Sequence, residues 1–191
     1  MSGSPSQPGG RSAARPEGSA DSERRGPSGV LRASALDRQR PDQFPNQLAL
    51  WRWPQAYAPS RDYDGRFGQW DFRKHSYGRI GDFDSKEEFE CAVQLDMLGQ
   101  HGRLKYWVRN LVNKPGCAFF LQKATGRLWP DFVCALSDGK ILVVEYKGGR
   151  GWTDAQDDRD MGGLWAELSG GNCRFLMVRN RQWGQMEEAL A

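Results

Sequence analysis

Residues 129–147 read Trp-Pro-Asp-Phe-Val-Cys-Ala-Leu-Ser-Asp-Gly-Lys-Ile-Leu-Val-Val-Glu-Tyr-Lys. Two short apolar runs are joined there by Ser137-Asp138-Gly139, a pattern that predicts a β-hairpin. Because side chains alternate along a strand, Glu145 and Lys147 share one face of the otherwise apolar second run. Charged groups on such a face are costly to bury unless they pair or bind a metal ion. The hairpin therefore indicates a functional site rather than core alone.

The length of the turn decides whether a third charged residue, Asp131, joins the other two. A two-residue Asp-Gly turn would pair Asp131 with Tyr146 and point it away from Glu145. A three-residue turn that ends at Gly139, with this glycine left-handed in a bulge, would place Asp131 opposite Glu145. Glycine adopts a positive φ at little cost, so the sequence favours the longer turn. We therefore expect two carboxylates to converge, with Lys147 one step along the strand.

The spacing of these residues resembles the PD-(D/E)xK nuclease motif, since Glu145-Tyr146-Lys147 follows Pro130-Asp131. Further segments resemble the C-terminal endonuclease region of type III restriction enzyme Res subunits. These segments are Lys74-His75, Asp82-Phe83, Asp84-Ser85-Lys86-Glu87-Glu88-Phe89-Glu90-Cys91-Ala92, Trp107-Val108-Arg109-Asn110, Trp129-Pro130-Asp131-Phe132-Val133 and Leu164-Trp165-Ala166. The resemblance covers roughly residues 57–178.

The resemblance implies an α/β fold with an αβββαβ core around a mixed sheet, as in restriction endonucleases. It also implies a Mg²⁺-dependent endonuclease that hydrolyses DNA phosphodiester bonds. Asp131, Glu145 and the backbone carbonyl of Tyr146 would hold the ion, which prefers oxygen ligands. Lys147 would orient the nucleophile or offset negative charge.

The first helix is expected to complete this metal site. Ser85 is a good helix cap, and the apolar stripe that follows predicts a helix over residues 86–98. In the family a glutamate of this helix often joins the metal ligands. Glu90 is our candidate by its place in the family pattern, whereas Glu87 and Glu88 favour the helix dipole.

The partners expected from the resemblance are DNA, a methylation or specificity subunit, and a separate helicase motor. No Gly-x-x-x-x-Gly-Lys-Ser/Thr phosphate loop occurs in the chain, so a motor of that kind is not part of it. One departure concerns Asp157-Asp158-Arg159-Asp160, which stands where related subunits carry lysine. An acidic run near a phosphate path would repel DNA.

Two other interpretations remain open at this point. Glu145 and Lys147 could be a same-face ion pair on an edge strand, a common arrangement that contributes little. The chain could also be a non-catalytic DNA-binding or assembly module built on a nuclease fold. The presence of Asp131 together with Glu145 and Lys147 favours the enzyme.

Composition divides the chain into three parts. Residues 1–44 contain few large apolar side chains and are expected to be a disordered tail. Residues 45–84 are rich in aromatic rings, which could pack on a domain edge or stack on single-stranded bases. Residues 85–191 form the expected nuclease-like domain, which carries fourteen basic and fourteen acidic residues. A DNA-binding surface must therefore come from local clustering of charge rather than from net charge.

Cysteine usage and hydropathy point to the cellular interior. The four cysteines lie far apart in apolar stretches and are expected to be buried, reduced thiols rather than zinc ligands. No apolar run is long enough to span a bilayer, and no signal peptide is recognisable. We expect a cytoplasmic protein without a membrane partner.

Overall fold

The structure, a computed structural model, describes residues 56–114 and 117–191, apart from the side chain of Arg150. The expected tail and the first part of the aromatic-rich segment lie outside the described residues. In the described part, helices and strands combine into a mixed α/β fold. The predicted fold class is thereby confirmed at this level.

Helix α1 (Lys86–Gln100) begins where the sequence predicts and ends two residues later than expected. Ser85 caps it, because its side-chain oxygen accepts a hydrogen bond of 3.1 Å from the Glu88 N–H. The buried residues of the helix are Phe89, Cys91, Ala92, Leu95, Asp96, Leu98 and Gly99. One polar side chain, that of Asp96, is therefore buried with the apolar face.

Six strands are described: β1 (Leu104–Arg109), β2 (Leu121–Gln122), β3 (Arg127–Leu128), β4 (Phe132–Leu136), β5 (Ile141–Lys147) and β6 (Cys173–Arg179). Four of them form one sheet in the order β1-β4-β5-β6. The β1–β4 and β4–β5 pairs are antiparallel, whereas β5 and β6 run parallel. The sheet is therefore mixed, as predicted.

Strands β2 and β3 form a separate two-stranded ribbon. The sequence predicts a strand over residues 118–122, but only Leu121 and Gln122 are in strand conformation. Leu121 pairs with Leu128, and both side chains are buried in the cluster that contains Trp165. The ribbon is thus anchored by one inward-facing leucine pair.

Helices cover both faces of the main sheet. After a 3-10 turn (Gly149–Gly151), helix α2 (Gln156–Leu168) packs through Trp165 against Val143 of β5. Leu142 and Val144 face the opposite side and belong to the cluster that contains Leu95 of α1. A short helix, α3 (Gly184–Ala189), follows β6. The alternation of β5 therefore places Val143, Glu145 and Lys147 on the α2 side of the sheet.

The described part of the aromatic-rich segment lies against α1 and β1. Tyr63, Phe67, Trp70 and Phe72 pack on the core cluster that contains Trp107. The backbone around His75 also pairs with β1, since the Trp107 N–H donates to the Lys74 carbonyl at 2.9 Å. These rings therefore contribute to the hydrophobic core.

The four cysteines, Cys91, Cys117, Cys134 and Cys173, are buried and form no disulfide. Burial raises the pKa of the Cys134 and Cys173 thiols, in the case of Cys173 to about 12. Both groups are therefore inert hydrophobic side chains at neutral pH. None of the helices in the described part of the chain combines the length and apolar character that a membrane crossing requires.

Candidate active site

The turn between β4 and β5 has the three-residue form that the sequence favours. Gly139 has a φ of +89°, and two backbone hydrogen bonds close the turn. Along the hairpin, Phe132 pairs with Val144. Because the strands are antiparallel, the next pair outward brings Asp131 opposite Glu145. The predicted register is confirmed.

Beyond the last ladder pair, each carboxylate accepts a hydrogen bond from the backbone of the neighbouring strand segment. The Asp131 N–H donates to Glu145 Oε2 at 3.1 Å, and the Tyr146 N–H donates to Asp131 Oδ2 at 2.7 Å. Lys147 Nζ lies 2.5 Å from Glu145 Oε1. Within the described residues, no hydrogen-bond donor reaches Asp131 Oδ1. The structure therefore brings together all three residues of the sequence motif and leaves one carboxylate oxygen available.

Pro130 interrupts the backbone ladder at the site. The residues opposite each other at the turn, Leu136 and Lys140, are joined by a backbone hydrogen bond. Hydrogen-bonded and non-hydrogen-bonded pairs alternate along an antiparallel ladder, so every second pair counted from the turn is hydrogen-bonded. Tyr146 therefore falls in a hydrogen-bonding position opposite Pro130, which has no N–H to donate. The Tyr146 N–H turns to Asp131 instead, and the Tyr146 carbonyl has no ladder donor opposite it. The carbonyl that the sequence predicts as a ligand is thus released from the sheet.

The site holds more negative than positive charge in a poorly solvated place. Burial raises the pKa of Asp131 well above its ordinary value, and the charges of Glu145 and Glu88 raise it further. Burial also raises the pKa of Glu145, although Lys147 opposes this effect. For Lys147, burial alone would lower the pKa, but Glu145 and Asp131 raise it overall. Lys147 is therefore charged at neutral pH, and its single charge does not compensate the carboxylates.

The helix glutamate whose charge acts on the site is Glu88 and not Glu90. The charge of Glu88 raises the pKa of Asp131, and its carboxylate lies 3.4 Å from the Arg109 guanidinium. Glu90 forms an ion pair with Arg181 instead. Residues two apart on a helix point about 200° from each other, so both cannot face the same site. The prediction that Glu90 completes the metal site therefore does not agree with the structure.

Glu90 borders a different feature, a cavity of about 390 Å³. Trp183 also lines that cavity, and its ring centroid lies 5.9 Å from that of Tyr146. The Tyr146 side chain alternates with that of Glu145 and faces the α1 side of the sheet. The cavity therefore lies near the Tyr146 ring, which points to the other face of β5 from the Glu145 side chain.

The described residues contain no group of three or more His, Cys, Asp or Glu side chains arranged to hold a metal ion. Three oxygen groups of this segment are candidate donors instead, namely the carboxylates of Asp131 and Glu145 and the Tyr146 carbonyl. These are hard oxygen donors, which suit Mg²⁺, an ion that binds few protein groups and retains several waters. The free Oδ1 of Asp131 and the excess negative charge fit such an ion. The expected third carboxylate, from Glu90, is not part of the set.

Asn110 holds the backbone of the site and was missed by the sequence interpretation. Its Nδ2 donates to the carbonyls of Phe119 and Pro130, each at 2.8 Å. Its own N–H donates to the Asp131 carbonyl at 2.7 Å. Asn110 is only 3% exposed, so these bonds lie in the interior. An asparagine directly after the half-buried strand β1 was the signal that could have identified it.

The acidic run of α2 approaches the site through one residue. The charge of Asp158 raises the pKa values of Glu145 and Lys147. Its carboxylate pairs with Lys123 Nζ at 2.6 Å, which offsets the repulsion that the sequence predicts. Next to it, the Arg159 guanidinium lies 4.1 Å from the centre of the Trp152 ring. This side of the site therefore carries cations as well as aspartates.

No protein-family model, curated protein or solved structure matches the chain. The likeness to type III Res subunits therefore rests on the short motifs of the sequence. The geometry around Asp131 and Glu145 is an independent observation, because register, hydrogen bonds and burial do not depend on any relative.

Proposed function

We propose that the chain is a metal-dependent endonuclease domain that hydrolyses DNA phosphodiester bonds. It would be of the PD-(D/E)xK type, similar to the nuclease region of type III Res subunits but without their motor. The observation that carries the proposal is the convergence of Asp131 and Glu145 in one register, with Lys147 2.5 Å from Glu145. A solvated ion pair would need neither the second carboxylate nor their burial. A separate helicase motor and a methylation subunit belong to the same proposal.

The residues of the site divide the chemistry between them. Mg²⁺, when bound, polarises phosphoryl oxygens and lowers the pKa of a bound water. Asp131, Glu145 and the Tyr146 carbonyl supply the oxygen ligands for it. Lys147 keeps its proton at neutral pH because neighbouring carboxylates raise its pKa. It therefore acts as a charged hydrogen-bond donor toward the nucleophile or the phosphate, and not as a base.

Nicking of supercoiled plasmid DNA, with Mg²⁺ or with EDTA, tests the proposal. We expect nicking only with Mg²⁺, and a fall of at least about a hundredfold in Asp131→Asn and Glu145→Gln, because each loses part of the electrostatic stabilisation. The matched control is Asp138→Asn, which changes an exposed aspartate of the same hairpin. Undiminished nicking by both site variants would disprove the assignment.

The second candidate is a non-catalytic DNA-binding or assembly module on the same fold. One observation favours it, namely that the hydrogen bonds of Asp131 and Glu145 also link the ends of β4 and β5. In that case the two carboxylates would stabilise the fold by joining the ends of β4 and β5. Asp131→Asn and Glu145→Gln would then lower the free energy of unfolding, and DNA binding would be independent of Mg²⁺.

A further inference from the structure

Most aromatic side chains in the described part of the chain pack into or against three hydrophobic clusters. The exceptions there are Tyr106, Phe120, Trp129 and Trp152. Phe120 and Trp129 lie side by side, and Trp129 comes two residues before Asp131. Two residues of extended chain span at most about 7 Å, so this aromatic pair adjoins the candidate active site.

The β2–β3 ribbon explains why these two rings face outward. Leu121 pairs with Leu128, and both side chains are buried. Because side chains alternate along strands, Phe120 and Trp129 flank this pair on the other face of the ribbon. Their ring centroids are 5.0 Å apart, and the rings are tilted by 49°. The rings are partly exposed.

A cation completes this surface. The guanidinium of Arg127 lies 4.3 Å from the centre of the Phe120 ring and 5.7 Å from that of Trp129. Arg127 is exposed, and its neighbour across the ribbon is the polar residue Gln122. We call Phe120, Arg127 and Trp129 the stacking face. It combines aromatic surface with positive charge beside a site that is proposed to cut a phosphodiester.

The ribbon is anchored by contacts that do not involve the stacking face. The inward leucine pair already anchors it, with Leu121 fully buried and Leu128 only 3% exposed. At the turn, the Gln122 side chain donates to the carbonyls of Lys123 and Gly126 at 3.0 and 2.9 Å. The rings of Phe120 and Trp129 lie outside these anchoring contacts.

We infer that the stacking face binds an unpaired nucleobase next to the scissile phosphate, with Arg127 directed toward the phosphate backbone. Every base has an aromatic face, so stacking on Trp129 would tolerate any sequence. Arginine beside the ring adds attraction for the base and for the phosphate. Bases inside a duplex are already stacked on their neighbours, so this surface selects single-stranded or frayed DNA. The position of the scissile phosphate rests on the proposed function, whereas binding of the base does not.

Fluorescence polarisation of the full chain in EDTA tests this inference without cleavage. The probes are a labelled 20-nucleotide single-stranded DNA, the same sequence as RNA, and the DNA duplex. We expect tighter binding of single strands than of duplex, and in Trp129→Leu a dissociation constant about tenfold higher for single strands. The duplex should be affected less than twofold. Trp129→Phe, which keeps a ring, should retain most of the affinity.

Two further variants separate charge from stacking. Arg127→Gln should weaken binding of both single strands and duplex, because it removes a phosphate contact. Arg79→Gln is the matched control, since Arg79 is an exposed arginine that pairs with Asp62 and is not part of the stacking face. It should leave each dissociation constant within twofold of the parent value.

The inference is overturned if no probe binds, if duplex binds more tightly, or if Trp129→Leu binds single strands like the parent. A lower melting temperature in Trp129→Leu with unchanged affinity would assign the ring a structural role only. Tighter binding of the RNA strand would support the role of the stacking face and identify RNA as the natural substrate.

The outcomes of the binding and nicking experiments also separate this inference from the proposed function. Trp129-dependent binding without any nicking would reject the proposed function alone. Asp131-dependent nicking without a Trp129 effect would reject the stacking face alone.

Discussion

Two of the sites that withdraw carboxylates from water in the described part of the chain, Asp96 and the Asp131–Glu145 pair, differ in the direction in which their pKa values shift. At Asp96, burial opposes the charged form, yet hydrogen bonds lower its pKa overall. At Asp131 and Glu145, burial raises the pKa of both carboxyls. The difference lies in what surrounds each charge rather than in burial itself.

Five N–H groups donate to Asp96, which is fully buried. They come from the backbone of Arg73 and Lys74 and from the side chains of Trp70, Gln100 and Trp107. Among the donors in the described part of the chain, only the Tyr146 N–H reaches Asp131, which also lies opposite a second carboxylate, that of Glu145. A buried charge saturated with donors is part of the fold, whereas an undersaturated carboxylate pair can bind a cation.

Asp96→Asn should cause the largest change in stability. An asparagine presents one acceptor oxygen and two N–H groups to five donors, which leaves several of them unpaired. We expect the free energy of unfolding to fall by about 3 kcal/mol or more. Chemical denaturation in urea measures this. Asp131→Asn is the matched variant and should be neutral or stabilising at pH 7, because it removes a repelled charge. Equal losses in both variants would abolish the distinction between the two sites.

The pH dependence of stability separates the two carboxylates by sign. The pKa of folded Asp131 is raised above its ordinary value of 3.8, so the native state binds this proton more tightly than the unfolded state. Its ionisation therefore costs stability, fully above the raised pKa and progressively less as the pH falls toward 3.8. Asp131→Asn should therefore be more stable than the parent at pH 8, and the difference should become small near pH 4.

Ionisation of Asp96 has the opposite effect on stability. Its folded pKa is lowered, so its stabilising contribution is complete above the ordinary value of 3.8 and is lost as the pH falls through the lowered pKa. The deficit of Asp96→Asn should therefore be constant from pH 5 to 8 and shrink only below pH 4. Urea denaturation across this range measures both profiles. Parallel pH profiles for the two variants would contradict the assigned pKa shifts.

Gly139→Val should have a smaller effect that tests how the site is aligned. A Cβ at residue 139 would meet no atom within 4 Å, so a clash is not the cause. The cost arises from the φ of +89°, which a β-branched residue adopts poorly. We expect a loss of about 1–2 kcal/mol and reduced nicking. Gly139→Asn is the control, since asparagine tolerates this conformation. It should retain most of the stability and most of the nicking activity. A valine variant as stable as the parent would show that the turn does not fix the register.

The register of the hairpin was predictable because it depends on local chemistry. One glycine selects the turn, and the turn sets which residues lie opposite each other on two short strands. Asp131, Glu145 and Lys147 could therefore be placed from fewer than twenty consecutive residues. The mixed sheet was expected from the resemblance to restriction endonucleases, and the structure contains one.

The helix glutamate and Asp96 could not be placed in the same way. The choice between Glu88 and Glu90 depends on the rotation of α1 about its axis, which is set by packing against distant elements. Asp96 receives donors as far away as Trp70, 26 residues earlier. Nothing in its immediate sequence distinguishes it from a solvated helix aspartate. The strand predicted over residues 118–122 is shorter in the structure for a related reason, since its pairing with β3 and its burial against Trp165 of α2 are contacts that its own sequence does not reveal.

Cation binding tests the central claim that Asp131 and Glu145 form an undersaturated pair held for a metal ion. Mg²⁺ can be titrated by calorimetry at pH 6.5 into the parent and Asp131→Asn, in two buffers of different ionisation enthalpy. The parent should bind Mg²⁺ and release protons, because the ion displaces protons from carboxyls with raised pKa values. Asp131→Asn should lose this binding, and Asp138→Asn should keep it. Absence of binding to the parent, or equal binding by Asp131→Asn, would contradict the account.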